Sequence, residues 1–415
     1  MFPRALSRWL PGLATATVVS LARVASDASN PVLESHRSHP LPTPRAPAAV
    51  AAGILDTIGN TPLIELRSLS ALLGRRILAK AEHLNPGGSV KDRAALRIVD
   101  EFERKGQLVP RSRRAPGAPA GIIVEATGGN TGIGLALVAA ARGYECVFTM
   151  PDRISADKVA FAELLGARVV LCPTAVPFTD PRHFYQHAAQ LAVDLGPRAV
   201  LGNQFETDAN WRAHYEGTGP EIIAQAAAAG LSVDAVVVSA GTGGTIGGLS
   251  RCFRERSPRT RIFLIDPPGS SLYSWVTGGA LAPTPDPTRI AEGVGIGRLT
   301  ANFKAAGDLD GAFAGRDQEM VDMAHFLLAH EGLLVGPSAA LNVCGAVKAA
   351  RGLPPGSTVA TVICDGGERY RARLFNTAWL ESEGLTAQGP GQASLINDST
   401  VPLLARTSIE VQPEV

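Results

Sequence analysis

Charge of one sign is what this chain most lacks: 39 Lys and Arg are set against 38 Asp and Glu in 415 residues, a formal net charge of +1. With that balance and few aromatics (5%) there is no basic footprint for nucleic acid, and no acidic tail for a basic partner. Small-molecule chemistry is the better expectation. Cysteine is sparse. Cys146, Cys172, Cys252, Cys344 and Cys364 lie far apart, with no C-x-x-C pair and no zinc spacing, and read as buried thiols in a reducing compartment. Long apolar runs are missing too. The stretch from Trp9 to Ala22 is interrupted by Pro11 and Gly12 and falls short of the ~20 residues that span a bilayer. No acidic residue precedes Asp27, while Arg4, Arg8 and Arg23 alternate with small and apolar residues, the composition of a mitochondrial targeting segment. A membrane anchor and an extension without an address are the alternatives.

What is present is α/β patterning. Short apolar runs suited to strands buried on both faces occur at Ile122 to Val124, Cys146 to Met150, Arg168 to Cys172, Ala235 to Val238, Ile262 to Ile265 and Val359 to Ile363. Helices are expected at Ser89 to Lys105, Gly132 to Arg142, Ala156 to Leu165, His183 to Leu195, Gly219 to Ala229, Asp317 to Glu331 and Ser338 to Arg351. The alternation implies parallel sheets covered by helices. We expect a targeting segment and linker over 1–50, an N-terminal α/β domain over 54–205, a C-terminal α/β domain over 206–380 and a mobile tail over 384–415.

Four segments carry chemistry. Asn85-Pro86-Gly87-Gly88-Ser89-Val90-Lys91 feeds a turn into a helix and places Lys91 in its first turn, its amine directed at a cleft. An isolated lysine there is ordinarily solvated. Thr127-Gly128-Gly129-Asn130-Thr131 joins a strand to a helix, where exposed amides can hold a carboxylate; a simple tight turn explains it equally well. Gly241-Thr242-Gly243-Gly244-Thr245 follows a buried strand and suits a phosphate. It lacks the Gly-Lys-Ser/Thr ending of a nucleotide-binding loop. Asp266 ends a strand about 20 residues later, which keeps a dinucleotide site open as an alternative. Ser338 opens a further helix, and an N-cap explains it when taken alone.

Taken in order, these segments resemble the fold-type II pyridoxal-phosphate (PLP) enzymes, and within them the cysteine synthase (O-acetylserine sulfhydrylase) family. The resemblance runs from about Ile54 to Phe375 and adds Asn60-Thr61-Pro62-Leu63, Asn203-Gln204-Phe205, Thr218-Gly219-Pro220-Glu221, Glu292-Gly293-Val294-Gly295 and Asp365-Gly366-Gly367-Glu368-Arg369-Tyr370. The tails are similar to those of the fungal mitochondrial branch often called cysteine synthase 2. The fold implied is two doubly wound domains with mainly parallel sheets and PLP in the cleft between them.

The resemblance also implies roles. Lys91 would carry PLP as a Schiff base and act as general base; Gly241, Thr242, Gly243, Gly244 and Thr245 would bind the cofactor phosphate. Asn130 would bond the ring hydroxyl, and Ser338 would face the ring nitrogen. Thr127, Gly128, Gly129, Asn130, Thr131 and Gln204 would hold the substrate carboxylate. The reaction implied is loss of acetate from O-acetylserine, an α-aminoacrylate intermediate, and addition of sulfide to give cysteine. A homodimer is implied, with serine acetyltransferase as a further partner, and no metal. Cystathionine β-synthase-like condensation, cysteine desulfhydration and an inactive relative that binds the acetyltransferase are the alternatives. Gly128 departs from the hydroxyl residue usual in the family, removing a donor and widening the pocket on this reading. Asp365, where many relatives have Ser, either sets polarity near the ring nitrogen or merely ends a strand.

Overall fold

The computed structural model describes residues 50–387 apart from 155. The targeting segment expected over 1–49 and the tail beyond 387 lie outside the described residues.

Among the described residues ten strands form two sheets. In chain order they are β1 (Leu63–Glu65), β2 (Arg76–Ala81), β3 (Ile122–Ala126), β4 (Glu145–Pro151), β5 (Ala167–Cys172), β6 (Ala199–Leu201), β7 (Ala235–Val238), β8 (Arg261–Asp266), β9 (Gly311–Ala314) and β10 (Thr358–Ile363). The smaller sheet has the order β5-β4-β3-β6 and is wholly parallel. The larger has the order β1-β2-β10-β7-β8-β9; only β1 runs antiparallel, against β2.

Continuous apolar runs in the strands follow from burial on both faces. In the larger sheet Ile77, Val237, Ile265 and Val359 pack with helices Asp317–Phe326 and Pro337–Arg351. Leu78, Val236, Val238, Leu264 and Val362 point the other way, onto helices Gly219–Ala228 and Gly244–Arg256. In the smaller sheet Ile123, Cys146 and Phe148 face helices Lys91–Arg104 and Asn130–Arg142, while Val124 and Val147 face Phe184–Asp194. The doubly wound expectation holds for both sheets.

Four expectations change. The division at 205/206 does not follow the sheets, because β1 and β2, near the start of the folded part, pair with β10 near its end. Strand β2 is apolar but short, and nothing local says that its partner lies about 280 residues away. The tail does not begin at 384: Leu385 is buried and Thr386 N–H donates to Gln318 Oε1 at 3.1 Å. Helix Gly244–Arg256 was not among the expected helices, since its Gly-rich start and charged end mask an apolar face of Ile246, Leu249 and Phe253. The expected helix Asp317 to Glu331 is α-helical only to Phe326 and finishes in a π-type turn over Leu327–Glu331.

Candidate active site

All four chemistry-bearing segments leave the carboxyl ends of strands or open the helices that follow, the usual address of a ligand in a parallel sheet. The loop after β7 runs through Ser239 to Thr245 and into helix Gly244–Arg256. Beside it β10 ends at Ile363; the carbonyl of the next residue, Cys364, accepts from Val90 N–H at 2.8 Å, and Ser89 bridges Asp365. Those two contacts anchor the turn before Lys91, the first residue of helix Lys91–Arg104, against the larger sheet. As a result Lys91, Gly241, Thr242, Gly243 and Thr245 share the wall of one cavity, with Cys364 opposite the loop.

The Gly-rich loop is glycine for steric reasons. Gly243 has φ +84, and a Cβ there would come within 2.6 Å of Phe303 Cα. A Cβ on Gly241 would run into the carbonyl of Gly293, and one on Gly244 into Asn210 Oδ1. The loop thereby brings backbone close to the N-terminus of a 13-residue helix, where partial positive charge gathers and where Gly244 N–H donates to Thr242 Oγ1 at 3.4 Å. Thr242 Oγ1 accepts from Asn210 Nδ2 at 3.0 Å, and Ser239 Oγ is buried without a partner. His214 stands behind the loop, Nδ1 at 2.9 Å from Thr218 Oγ1 and Nε2 at 3.4 Å from Thr245 Oγ1. Burial, reinforced by the Arg93 charge, holds its pKa at about 3, so the ring is neutral at physiological pH.

Thr127 to Thr131 leave β3 of the smaller sheet and do not line that cavity. They approach it through Asn130, whose Nδ2 donates to Asp365 Oδ2 at 2.8 Å. Thr127 Oγ1 accepts from the amides of Gly129 and Gly132, holding the turn in shape. Gln204 is buried with its amide fully engaged: Oε1 accepts from Thr131, and Nε2 donates to Glu125 Oε1 at 3.1 Å and to the Ala126 carbonyl at 3.3 Å. It braces the loop from below. Glu125, to which the sequence reading assigned no role, is 1% exposed, and burial pushes its carboxyl up to about 8 against the Gln204 bonds. Gly128 does not widen a pocket, as its lack of a side chain suggested. The space a Cβ would take is already filled by Ile154 Cδ1.

Ser338 is buried at the second position of helix Pro337–Arg351, next to Cys364 and off the cavity wall. Burial raises the Cys364 thiol to about 11, with Lys91 and the Ser338 hydroxyl opposing. A thiol that stays protonated at neutral pH is not a nucleophile here. Asp365 Oδ2 accepts from both Asn130 Nδ2 and Tyr370 OH, so it is more than a strand-end acid. Asp266 donates nothing to the phosphate-type loop; it accepts from Tyr273 N–H at 2.7 Å, a helix-start contact that does not support a dinucleotide site.

Comparison with known proteins agrees with this arrangement. Residues 54–365 match the model of a family described as pyridoxal-phosphate dependent enzyme. A cysteine synthase of Dictyostelium discoideum is 44% identical over 343 residues, 80% of this chain and 86% of the relative. A Saccharomyces cerevisiae relative, 37% identical over 342 residues (79% of this chain, 84% of the relative), carries both "mitochondrial" and "cysteine synthase" in its name. Among solved structures, an O-acetylserine-dependent cystathionine β-synthase from Helicobacter pylori aligns with a TM-score of 0.67 at 32% identity, covering 79% of this chain and 99% of that one. On these matches, spanning most of the described fold, the chain belongs to the pyridoxal-phosphate-dependent enzymes of fold type II, in the family of the cysteine synthases.

Proposed function

We propose that the protein is a cysteine synthase that replaces the acetate of O-acetyl-L-serine with sulfide, using Lys91 as attachment point and base. The observation that carries this is the meeting of Lys91 with Gly241, Thr242, Gly243 and Thr245 of the helix-opening loop on one cavity wall. An amine and an anion cradle in one cavity fit PLP, and the orphaned Ser239 hydroxyl supplies a free polar atom there. When bound, PLP supplies an electrophilic carbon for amines and an electron sink for a carbanion at Cα.

This chain's own groups do the rest. The loop from Gly241 to Thr245, Gly244 included, holds the phosphate with backbone N–H groups and Thr hydroxyls, neutralised by the helix start. Lys91 Nζ would hold the cofactor and, in the presence of substrate, would take the α-proton, so that the Cβ–O bond could break with acetate leaving with the electron pair. Sulfide forms the new Cβ–S bond, and the proton held on Nζ returns to Cα. Asn130 Nδ2 would orient the ring through its hydroxyl, and Ser338, an uncharged hydroxyl, would favour a protonated ring nitrogen less than a carboxylate would. Thr127, Gly128, Gly129 and Thr131 present the turn that receives the donor carboxylate, with Gln204 keeping it rigid. Water is kept from the reacting carbon when this turn closes over the donor.

A mitochondrial matrix address is supported by the acid-free, Arg-containing first 26 residues and by the name of the budding-yeast relative. A homodimer, with serine acetyltransferase as a partner, is proposed on family resemblance alone. The domains are proposed as two lobes, one around each sheet, with residues 63–81 assigned to the larger-sheet lobe.

The experiment is turnover of the PLP-loaded enzyme with O-acetylserine and sulfide, quantifying cysteine and acetate, with Lys91→Ala as control. Equimolar cysteine and acetate, lost in Lys91→Ala, is the expected result. Acetate release that requires homocysteine in place of sulfide would reassign the enzyme to cystathionine synthesis, and no acetate release with either thiol would overturn the donor.

A further inference from the structure

Asn130 is clamped from two sides by the chain that follows β10. Its Nδ2 donates to Asp365 Oδ2 at 2.8 Å, and its Oδ1 accepts from Arg369 Nη1. A guanidinium can only donate, and the Asp365 oxygen accepts, so the pair fixes which end of the amide is nitrogen and which is oxygen. Arg369 is itself tied to the turn before Lys91, Nη2 donating to the Gly87 carbonyl at 2.5 Å. Asp365 is wholly buried. The same Oδ2 accepts from Tyr370 OH at 2.6 Å, while Oδ1 is buried without a partner and packed so tightly that a Cβ on Gly336 would collide with it. Burial raises the carboxyl's pKa, with Tyr370, Asn130, Arg369 and Lys91 opposing, and Oδ2 can accept in either protonation state. An amide nitrogen carries two hydrogens. With one committed to Asp365, the direction of the other is determined.

We propose that Asp365 is a positioning residue for the cofactor ring, acting through Asn130: it holds the amide so that the second N–H meets the ring oxygen, with Arg369 as the opposing stop. The arrangement couples the two sheets, since Asn130 opens a helix after β3 and Asp365 follows β10. Cofactor orientation is therefore set by both lobes together.

The inference rests on the reading of Asn130 as the group facing the ring, and the test separates the two. Asn130→Ala, Asp365→Ala and the double variant are prepared as apoprotein and titrated with PLP, reading the visible absorption band of the bound cofactor and its dissociation constant. Asn130→Ala is expected to weaken PLP binding about tenfold and shift the band, as expected for one lost polar contact to a bound group. Asp365→Ala should reproduce most of that shift, and the double variant should add little to either. A wild-type band and affinity in Asp365→Ala beside a changed Asn130→Ala would overturn the role of Asp365. An unchanged Asn130→Ala would instead overturn the reading of Asn130. Should Asp365→Ala not fold, Asp365→Ser serves: it removes the long acceptor with less loss of polarity, and the same shift is expected.

Discussion

At the scale of single residues, the turn proposed to receive the donor carboxylate carries no side chain at Gly128, and the space is not empty. Ile154 Cδ1 sits where a side chain on Gly128 would go. Gly128→Ser should therefore overpack the turn by about 1–3 kcal/mol, raising KM for O-acetylserine roughly tenfold, and Ile154→Ala in the same chain should restore it. Steady-state kinetics of the single and double variants check this; a Gly128→Ser enzyme with unaltered KM would mean that Ile154 does not constrain the turn. Glu125 is the other residue of note. Its carboxyl is raised from 4.5 to about 8, so across that window the folded state holds a proton that the unfolded chain has released. Stability conferred by the neutral form is present at low pH and falls as pH rises towards 8. Glu125→Gln should flatten that fall, measured as urea unfolding midpoints at about pH 5.5 and 8.5. Lys91, Asn130 and the loop from Gly241 to Thr245 were legible from sequence because each sits in a local motif. Glu125 and Asp365 took on their roles only through burial and distant partners, which no local pattern records.

At the scale of elements, a buried ionic network joins β2 to two helices. Arg93, 6% exposed, donates through Nε to Glu82 Oε2 at 2.6 Å and through Nη1 to Glu221 Oε1 at 2.7 Å. Lys80, fully buried one residue before the end of β2, reaches Glu221 at 2.7 Å and Gln225 Oε1 at 2.9 Å. Burial alone would raise the Glu82 carboxyl, yet Arg93, Thr61 and Lys80 hold it at about 2. Two cations and two carboxylates balance within the cluster, which makes burial tolerable. Because Arg93 lies two residues beyond Lys91, the network also fixes the start of helix Lys91–Arg104. Arg93→Met fills the volume but leaves Glu82 buried and unpaired, and it should destabilise the protein by about 3–5 kcal/mol. The check is the midpoint of chemical unfolding at unchanged slope. Thr61 and Glu221 were visible beforehand as parts of family motifs; that they meet at one arginine was not.

At the scale of the molecule, the two sheets turn their carboxyl ends to a common region, and the chain crosses between them more than once. Helix Lys91–Arg104 packs with Asn130–Arg142 of the smaller-sheet lobe while its first residue reaches the cavity beside the larger sheet. Lys158 pairs with Glu292, which also accepts from Arg373 Nη1 at 2.5 Å, a second tie between the lobes beside the cavity loop Gly293-Val294. A ligand held by groups from both lobes stabilises the folded state by mass action. At a free PLP concentration 100-fold above its dissociation constant the gain is about 2.7 kcal/mol, so removing PLP should lower Tm and adding it back should restore it. A Tm independent of PLP would contradict a site built across the lobes.

The sequence by itself determined the α/β class, most of the buried strands, the order of the motifs and the placing of Lys91 at the start of a helix, because those depend on local periodicity and on glycines that a turn requires. Only the tertiary structure decided that the first strands belong with the last, that Ile154 replaces a side chain at Gly128, and that Asp365 and Arg369 orient Asn130. Each of those depends on a contact between residues far apart in the chain, and such contacts are selected by packing and burial once the sheets have formed.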